Sequence, residues 1–140
     1  EDEDGVRASQ NNVEALLARE KSRGIATSRI VLAGFFQGGA IALHTSLRHA
    51  ERLAGIMALS TYVPLAGRLA AEVHPANRGV PIFMAHGTAD PMIALARAEE
   101  SRDLLLQQGY VLEWSEYRMQ HAVCAQEIAA IGVWLRRVLA

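Results

Sequence analysis

Asp90 and His121 are the residues of this sequence best suited to proton transfer. Asp90 ends the segment His86-Gly87-Thr88-Ala89-Asp90, and His121 ends Tyr117-Arg118-Met119-Gln120-His121. A carboxylate that accepts a hydrogen bond from one ring nitrogen of a histidine fixes the tautomer of the imidazole, whose other nitrogen can then act as general base and general acid. Taken alone, Asp90 is more typical of a turn or a helix cap, and His121 of a loop histidine.

A third candidate position lies upstream, where a hydrophobic segment runs into a Gly-x-x-x-Gly turn. The segment reads Ile30-Val31-Leu32-Ala33-Gly34-Phe35-Phe36-Gln37-Gly38-Gly39-Ala40, which has the strand, sharp turn and helix of a nucleophile elbow. The residue midway between the glycines of such a turn points out of the carboxyl end of the sheet. That residue is Phe36, which has no oxygen or sulfur for an imidazole to deprotonate. The alternative is a core aromatic with no site around it.

These motifs resemble those of the bacterial carboxylesterase and acyl-protein thioesterase family of α/β-hydrolases. The elbow of that family reads Gly-Phe-Ser-Gln-Gly-Gly-Ala, from which this sequence departs only at Phe36. The resemblance continues through Gly55-Ile56-Met57-Ala58-Leu59-Ser60 and the segments that contain Asp90 and His121, and it covers nearly the whole chain from Val6 onward. Positions 36, 90 and 121 follow the order nucleophile, Asp, His of α/β-hydrolases.

The resemblance implies a role for each of these positions. Phe36 would occupy the place of the nucleophile, Asp90 would orient His121, and the backbone N–H of Gln37 would serve the oxyanion hole. The implied reaction is two-step acyl transfer on short or medium acyl esters or thioesters, without a cofactor. Because Phe36 replaces serine, we expect the chain to be inactive by this route. The alternative function is a non-catalytic binding or interaction module derived from an esterase.

Four aliphatic segments alternate with segments of helical periodicity, which predicts an α/β fold with a mostly parallel sheet flanked by helices. The predicted strands are Arg29–Ala33, Gly55–Leu59, Pro81–Ala85 and Val111–Tyr117, and the predicted helices are Val6–Arg23, Gly38–His49, Ile93–Gln108 and Ala125–Leu139. The last strand mixes apolar and acidic residues and is expected at an edge. Ser60–Gly79 is predicted as a loop, and the acidic run Glu1–Asp4 as a solvated tail.

The length of 140 residues fits one domain, here residues 1–140, and the net charge of −1 with 51% hydrophobic residues argues against disorder and against a nucleic-acid partner. The single cysteine, Cys124, gives no sign of an oxidising compartment, and no segment is apolar enough for a membrane span, so a cytoplasmic location is expected. No metal is expected, because His44, His49 and His74 lack ligand spacing. His86 is interpreted as a structural residue.

The family begins with earlier strands and a His-Gly loop that supplies a second oxyanion donor, so the resemblance implies an α/β-hydrolase-like domain truncated at its N-terminus. Ile30-Val31-Leu32 would then form an apolar sheet edge without a lysine or proline to block pairing. The helix around Val13, Leu16 and Leu17 would also present uncovered apolar residues. We therefore expect either a homodimer or a complex with an upstream complementary fragment, in addition to a small-molecule acyl ester or thioester.

Overall fold

The computed structural model describes all 140 residues and is built around one four-stranded sheet. Its strands are β1 (Val31–Phe35), β2 (Gly55–Leu59), β3 (Ile82–Gly87) and β4 (Leu112–Tyr117). They lie in the order β1-β2-β3-β4, and every neighbouring pair is parallel. Parallel neighbours require crossover connections, which helices provide here. The predicted α/β class with a parallel sheet flanked by helices is confirmed.

Five α-helices surround the sheet: α1 (Glu3–Ser22), α2 (Gln37–Arg48), α3 (Leu69–Glu72), α4 (Leu95–Gln107) and α5 (Ala125–Val138). The larger core cluster joins α1, α2, α3 and α4 to one face of β2 and β3. Trp134 of α5 covers the opposite face, against Met57 and Phe83. Because both faces of β2 and β3 are covered, all their residues are buried, which is why these two segments are apolar apart from His86.

Four sequence predictions need correction. Leu17 of α1, predicted to be uncovered, is buried, and Val13 packs against the same core, so that only Leu16 is exposed. The first strand begins at Val31 rather than Arg29, because Thr27–Arg29 form a 3₁₀ turn. The predicted loop Ser60–Gly79 contains α3, whose Leu69 is fully buried. The burial of this single leucine anchors a four-residue helix that has no extended apolar periodicity for sequence reasoning to detect.

The acidic run at the start of the chain is also not a free tail. Glu3 and Asp4 lie in the first turn of α1, where negative side chains interact favourably with the helix dipole. The carboxylate of Asp2 caps the helix by accepting a hydrogen bond from the N–H of Gly5 at 3.0 Å. The carboxylate of Glu1 accepts one from the N–H of Leu65, also at 3.0 Å. No helix of the chain is both long and apolar enough to cross a membrane.

Candidate active site

The turn from β1 into α2 holds Phe36 in a strained backbone conformation, with φ 56° and ψ −120°. A bulky residue at positive φ is a genuine outlier. The turn is possible because Gly34 has no side chain: a Cβ there would lie 2.2 Å from the carbonyl carbon of Gly38. A Cβ on Gly39 would lie 2.7 Å from Cγ2 of Thr61. The elbow pattern therefore produces the sharp turn that the sequence predicts.

Two hydrogen bonds tie this turn to the end of β2 and to the segment that follows it. The N–H of Phe36 donates to the carbonyl of Leu59 at 2.9 Å, and the hydroxyl of Thr61 donates to the carbonyl of Phe36 at 2.6 Å. Gln37 is the first residue of α2, so its backbone N–H has no acceptor within the helix. The turn thus presents an N–H donor directly beside the side chain of Phe36.

Asp90 and His121 form a hydrogen-bonded pair at the carboxyl end of the sheet. Nδ1 of His121 lies 2.7 Å from Oδ2 of Asp90, and Oδ1 of Asp90 accepts hydrogen bonds from the N–H groups of Met92 at 2.8 Å and Ile93 at 2.9 Å. Burial alone would raise the pKa of Asp90. The hydrogen bonds from Ile93, His121 and Met92 more than offset burial, so the pKa lies below its usual value. Asp90 is therefore a carboxylate at neutral pH.

The imidazole of His121 contacts two aromatic rings. The ring centroid of Phe36 is 4.7 Å away in an edge-on arrangement, and that of Phe35 is 4.7 Å away and tilted. Nε2 of His121 makes no hydrogen bond within the chain and is not buried. The structure thus brings together positions 36, 90 and 121, which are separated by up to 85 positions in the sequence.

His86 has a larger part in this arrangement than sequence reasoning gave it. Its side chain is almost fully buried, with Nε2 at 2.8 Å from the carbonyl of Ile93 and at 3.6 Å from Oδ2 of Asp90. The imidazole therefore holds the loop that carries the carboxylate. The sequence offers a weak signal for this contact, because His86 and Asp90 belong to one short segment, but a turn of this kind has many alternative conformations.

Ser60 is the second residue at this end of the sheet with a positive φ, of 52°. Its hydroxyl is buried and has no hydrogen-bond partner. The backbone N–H of Ser60 donates to the carbonyl of Ala85, so the residue is locked between β2 and β3. Full burial keeps this hydroxyl away from any substrate in the described conformation.

Two clefts meet at the amino-terminal end of α2. One encloses about 470 Å³ between α1, β1 and α2, and the other encloses about 370 Å³ between α1, α2 and the segment around Tyr62. Gln37, Ser9 and Ile41 line both clefts, whereas Asp90 and His121 line neither. No group of three His, Cys, Asp or Glu side chains converges on a common point that could hold a metal.

Comparison with known proteins gives a consistent result. Residues 1–139 match the family described as phospholipase/carboxylesterase. The chain is 42% identical over 139 residues to Acyl-protein thioesterase 1 of Neurospora crassa, covering 96% of this chain and 56% of that protein. It is 37% identical over 142 residues to Acyl-protein thioesterase 1 of Gibberella zeae, covering 99% and 60%. The chain therefore spans about three fifths of the length of these curated relatives.

Solved structures agree with the fold. SOBER1 of Arabidopsis thaliana superposes with a TM-score of 0.94 at 27% identity, covering 99% of this chain and 67% of that one. Acyl-protein thioesterase 2 of Zea mays superposes with a TM-score of 0.86 at 24% identity, covering 98% and 66%, a likeness that concerns the fold alone. The sequence relatives named above are fungal, so they do not single out the bacterial branch that the motifs resemble. The chain belongs to the phospholipase/carboxylesterase family of α/β-hydrolases.

Proposed function

We propose that this chain carries the general-base part of an acyl-transfer site in which Phe36 occupies the nucleophile position. The observation that carries the proposal is the hydrogen bond of 2.7 Å between Asp90 and His121, with Phe36 on a strained turn in contact with the imidazole. The substrate class is acyl esters or thioesters of short or medium chain length. The thioesterase names of the relatives support this choice.

In this proposal a serine at position 36 would give its proton to Nε2 of His121 as its oxygen attacks the acyl carbon. The carboxylate of Asp90 would stabilise the imidazolium that forms, and the backbone N–H of Gln37 would donate to the developing oxyanion. Phenylalanine has no proton to give and no oxygen to acylate. The serine route is therefore closed as long as position 36 is phenylalanine, and the proposed reaction uses no cofactor.

The substitution Phe36→Ser tests the proposal directly. We expect the variant to react with a fluorophosphonate probe at position 36, because the new hydroxyl lies beside an oriented imidazole, and we expect no labelling of the unmodified chain. Mass spectrometry of the labelled peptides identifies the residue. Phe36→Ser combined with His121→Gln is the matched control and should not react. Labelling of a serine in the unmodified chain would contradict the proposal.

A second candidate is a non-catalytic binding module, favoured by the phenyl ring that fills the space beside the imidazole. The two candidates differ in the outcome with Phe36→Ser. A module that has lost its catalytic geometry would bind a non-hydrolysable acyl thioether in calorimetry while Phe36→Ser stays unreactive. A dormant hydrolase site would regain reactivity with this one change.

We also propose that the open edge of β1 pairs with another polypeptide segment. β1 hydrogen-bonds to β2 on one side only, and Ala33 and Phe35 are exposed. A complementary segment is favoured over a second copy, because the curated relatives exceed the matched length. A cytoplasmic location belongs to the same proposal and is supported by the one cysteine, Cys124, which is free.

A further inference from the structure

The nitrogen Nε2 of His121 is a lone-pair donor on an imidazole that is held in place. Asp90 is a carboxylate and can only accept, so the ring proton of the pair resides on Nδ1 of His121. Nε2 then keeps its lone pair. It has no partner in the chain, and the side chain is 16% exposed, which leaves this nitrogen within reach of a solute.

No hydroxyl of this site is available as a nucleophile. Phe36 has none, the hydroxyl of Ser60 is buried, and the hydroxyl of Thr61 donates to the carbonyl of Phe36. Cys124 caps α5 through its backbone N–H, which donates to the carboxylate of Glu127 at 3.3 Å, and its thiol is free. Within the cluster of Phe36, Asp90 and His121, the imidazole is the one group with both a free lone pair and access from solution.

We infer that His121 is itself an acyl acceptor, and that the chain slowly hydrolyses esters with good leaving groups, such as aryl esters, through an acyl-imidazole. The inference rests on the proposed function for the Asp90–His121 pair. It goes further because the reaction needs neither a serine nor a change at Phe36. Imidazole is an established nucleophile in covalent catalysis, and the Asp90 contact gives this ring a fixed orientation.

The reaction balances in two steps. In the first, the lone pair of Nε2 forms a bond to the acyl carbon, the bond between that carbon and the aryl oxygen breaks, and the aryl oxide leaves with the electron pair. The ring is now an acyl-imidazolium, whose positive charge and Nδ1 proton face the carboxylate of Asp90. In the second, water adds to the acyl carbon, the carbon–Nε2 bond breaks, and its electron pair returns to Nε2. The products are a carboxylate, an aryl oxide and two protons.

The sequence provides a matched control for this chemistry. His44, His49 and His86 are buried, so His74 is the other histidine with partial exposure. His74 has no carboxylate partner, and its Nδ1 accepts a hydrogen bond from the N–H of Ala76. A rate that came from any accessible imidazole would respond to both His74→Gln and His121→Gln. A rate that came from the oriented ring responds to His121→Gln alone.

The experiment measures hydrolysis of p-nitrophenyl acetate by the full chain and by these two variants, with circular dichroism to confirm that each is folded. We expect His121→Gln to lower the protein-dependent rate by at least about tenfold and His74→Gln to leave it unchanged. Acid-quenched protein should carry an acetyl group on His121, and added hydroxylamine should remove that group as acetyl hydroxamate.

Several outcomes would overturn the inference. Equal rates for His121→Gln and the unmodified chain would do so, as would acetyl groups found only on Cys124, lysine, serine or the amino terminus. A rate that depends on His121 without an acetyl-histidine would mean that the imidazole activates water instead. The test is independent of fluorophosphonate labelling in Phe36→Ser, so failure of the proposed serine chemistry and failure of this inference give different results.

Discussion

The two edges of the sheet are built from different kinds of residues. β4 carries Glu113 and Glu116 along its length, and its ring of Trp114 is covered by the guanidinium of Arg102 at 4.8 Å. β1 consists of Val-Leu-Ala-Gly-Phe and has no charged side chain. Charged residues on an outer strand oppose pairing with another chain, and an apolar strand without them invites it. The comparison indicates that β4 is an edge strand protected against pairing and that β1 is unprotected.

The two edges also differ in what lies next to them: β1 borders an apolar cleft, and β4 borders an ion pair. Beside β1 lies the cleft of about 470 Å³, whose walls include Val13, Leu32 and Ile41. Beside β4, Arg137 of α5 forms an ion pair with Glu113 across the strand. The strained residue Phe36 also directly follows β1. The sheet edge that leads into the elbow therefore combines an apolar cleft with a strained turn.

The largest expected effect is on association. In the absence of a complementary segment, we expect the unmodified chain to self-associate through β1 at micromolar concentration. Ala33→Lys, at an exposed position, should abolish this self-association because it places a charge on the strand. Glu113→Lys on β4 is the matched control and should leave the association as it is. Light scattering measures the mass of each variant. If the unmodified chain were monodisperse at the monomer mass and bound no hydrophobic dye, β1 would be as well protected against pairing as β4.

The next effect concerns pH and the helices on the β1 side. Burial, together with the nearby charges of Arg48 and Arg7, lowers the pKa of His44 to about 4. Because the folded state favours the neutral imidazole, its contribution is complete above the unfolded value near 6.5 and is lost as the pH falls from there to about 4. We expect this histidine to cost about 2–3 kcal/mol of folding free energy by pH 4.

Denaturant unfolding across this pH range measures that loss. His44→Gln keeps an amide that can pair with Gln10, which now contacts Nε2 of His44 at 2.8 Å, and it should flatten the pH dependence. His74→Gln serves as the control, because His74 is partly exposed and should leave the curve unchanged. If both variants retained the full pH dependence, another group would have to be responsible for the acid sensitivity.

A smaller effect is expected from backbone strain at Phe36. Glycine relieves a positive φ, so we expect Phe36→Gly to be about 1–2 kcal/mol more stable than Phe36→Ala. At Ala129, an exposed position within α5, the same exchange should have the opposite sign and cost about 1 kcal/mol. Thermal unfolding of the three variants and the unmodified chain gives both differences. If glycine were less stable than alanine by the same amount at positions 36 and 129, the turn at Phe36 would store no backbone strain.

The smallest effect is expected at the β4 edge of the sheet. Glu113 and Arg137 keep about half of their side-chain surface exposed, and solvent screens pairs of this kind. We expect a double-mutant cycle with Glu113→Gln and Arg137→Gln to give a coupling below about 0.5 kcal/mol. A coupling of several kcal/mol would show that the ion pair, rather than the mere presence of charge, protects β4.

Much of the fold could be predicted because its signals are local. β2, β3 and β4 fall within two residues of the predicted strands, since β2 and β3 are short, largely apolar runs and β4 alternates apolar and polar residues after the turn at Gly109. The elbow could also be predicted from the sequence, because so sharp a backbone turn requires two glycines at fixed spacing. The predictions failed at Ser60–Gly79, where α3 depends on contacts with distant residues, and at Arg29, where a 3₁₀ turn ends just before β1.

The sequence by itself determined the order of strands and helices, the glycine turn at Phe36 and the family to which the chain belongs, because each depends on residue types at short and fixed spacing. Only the tertiary structure decided that Asp90 and His121 lie 2.7 Å apart, that His86 holds the same loop, and that His44 is buried beside two arginines. These are contacts between segments far apart in the chain. Their geometry arises from how helices pack on the sheet, which no local pattern records.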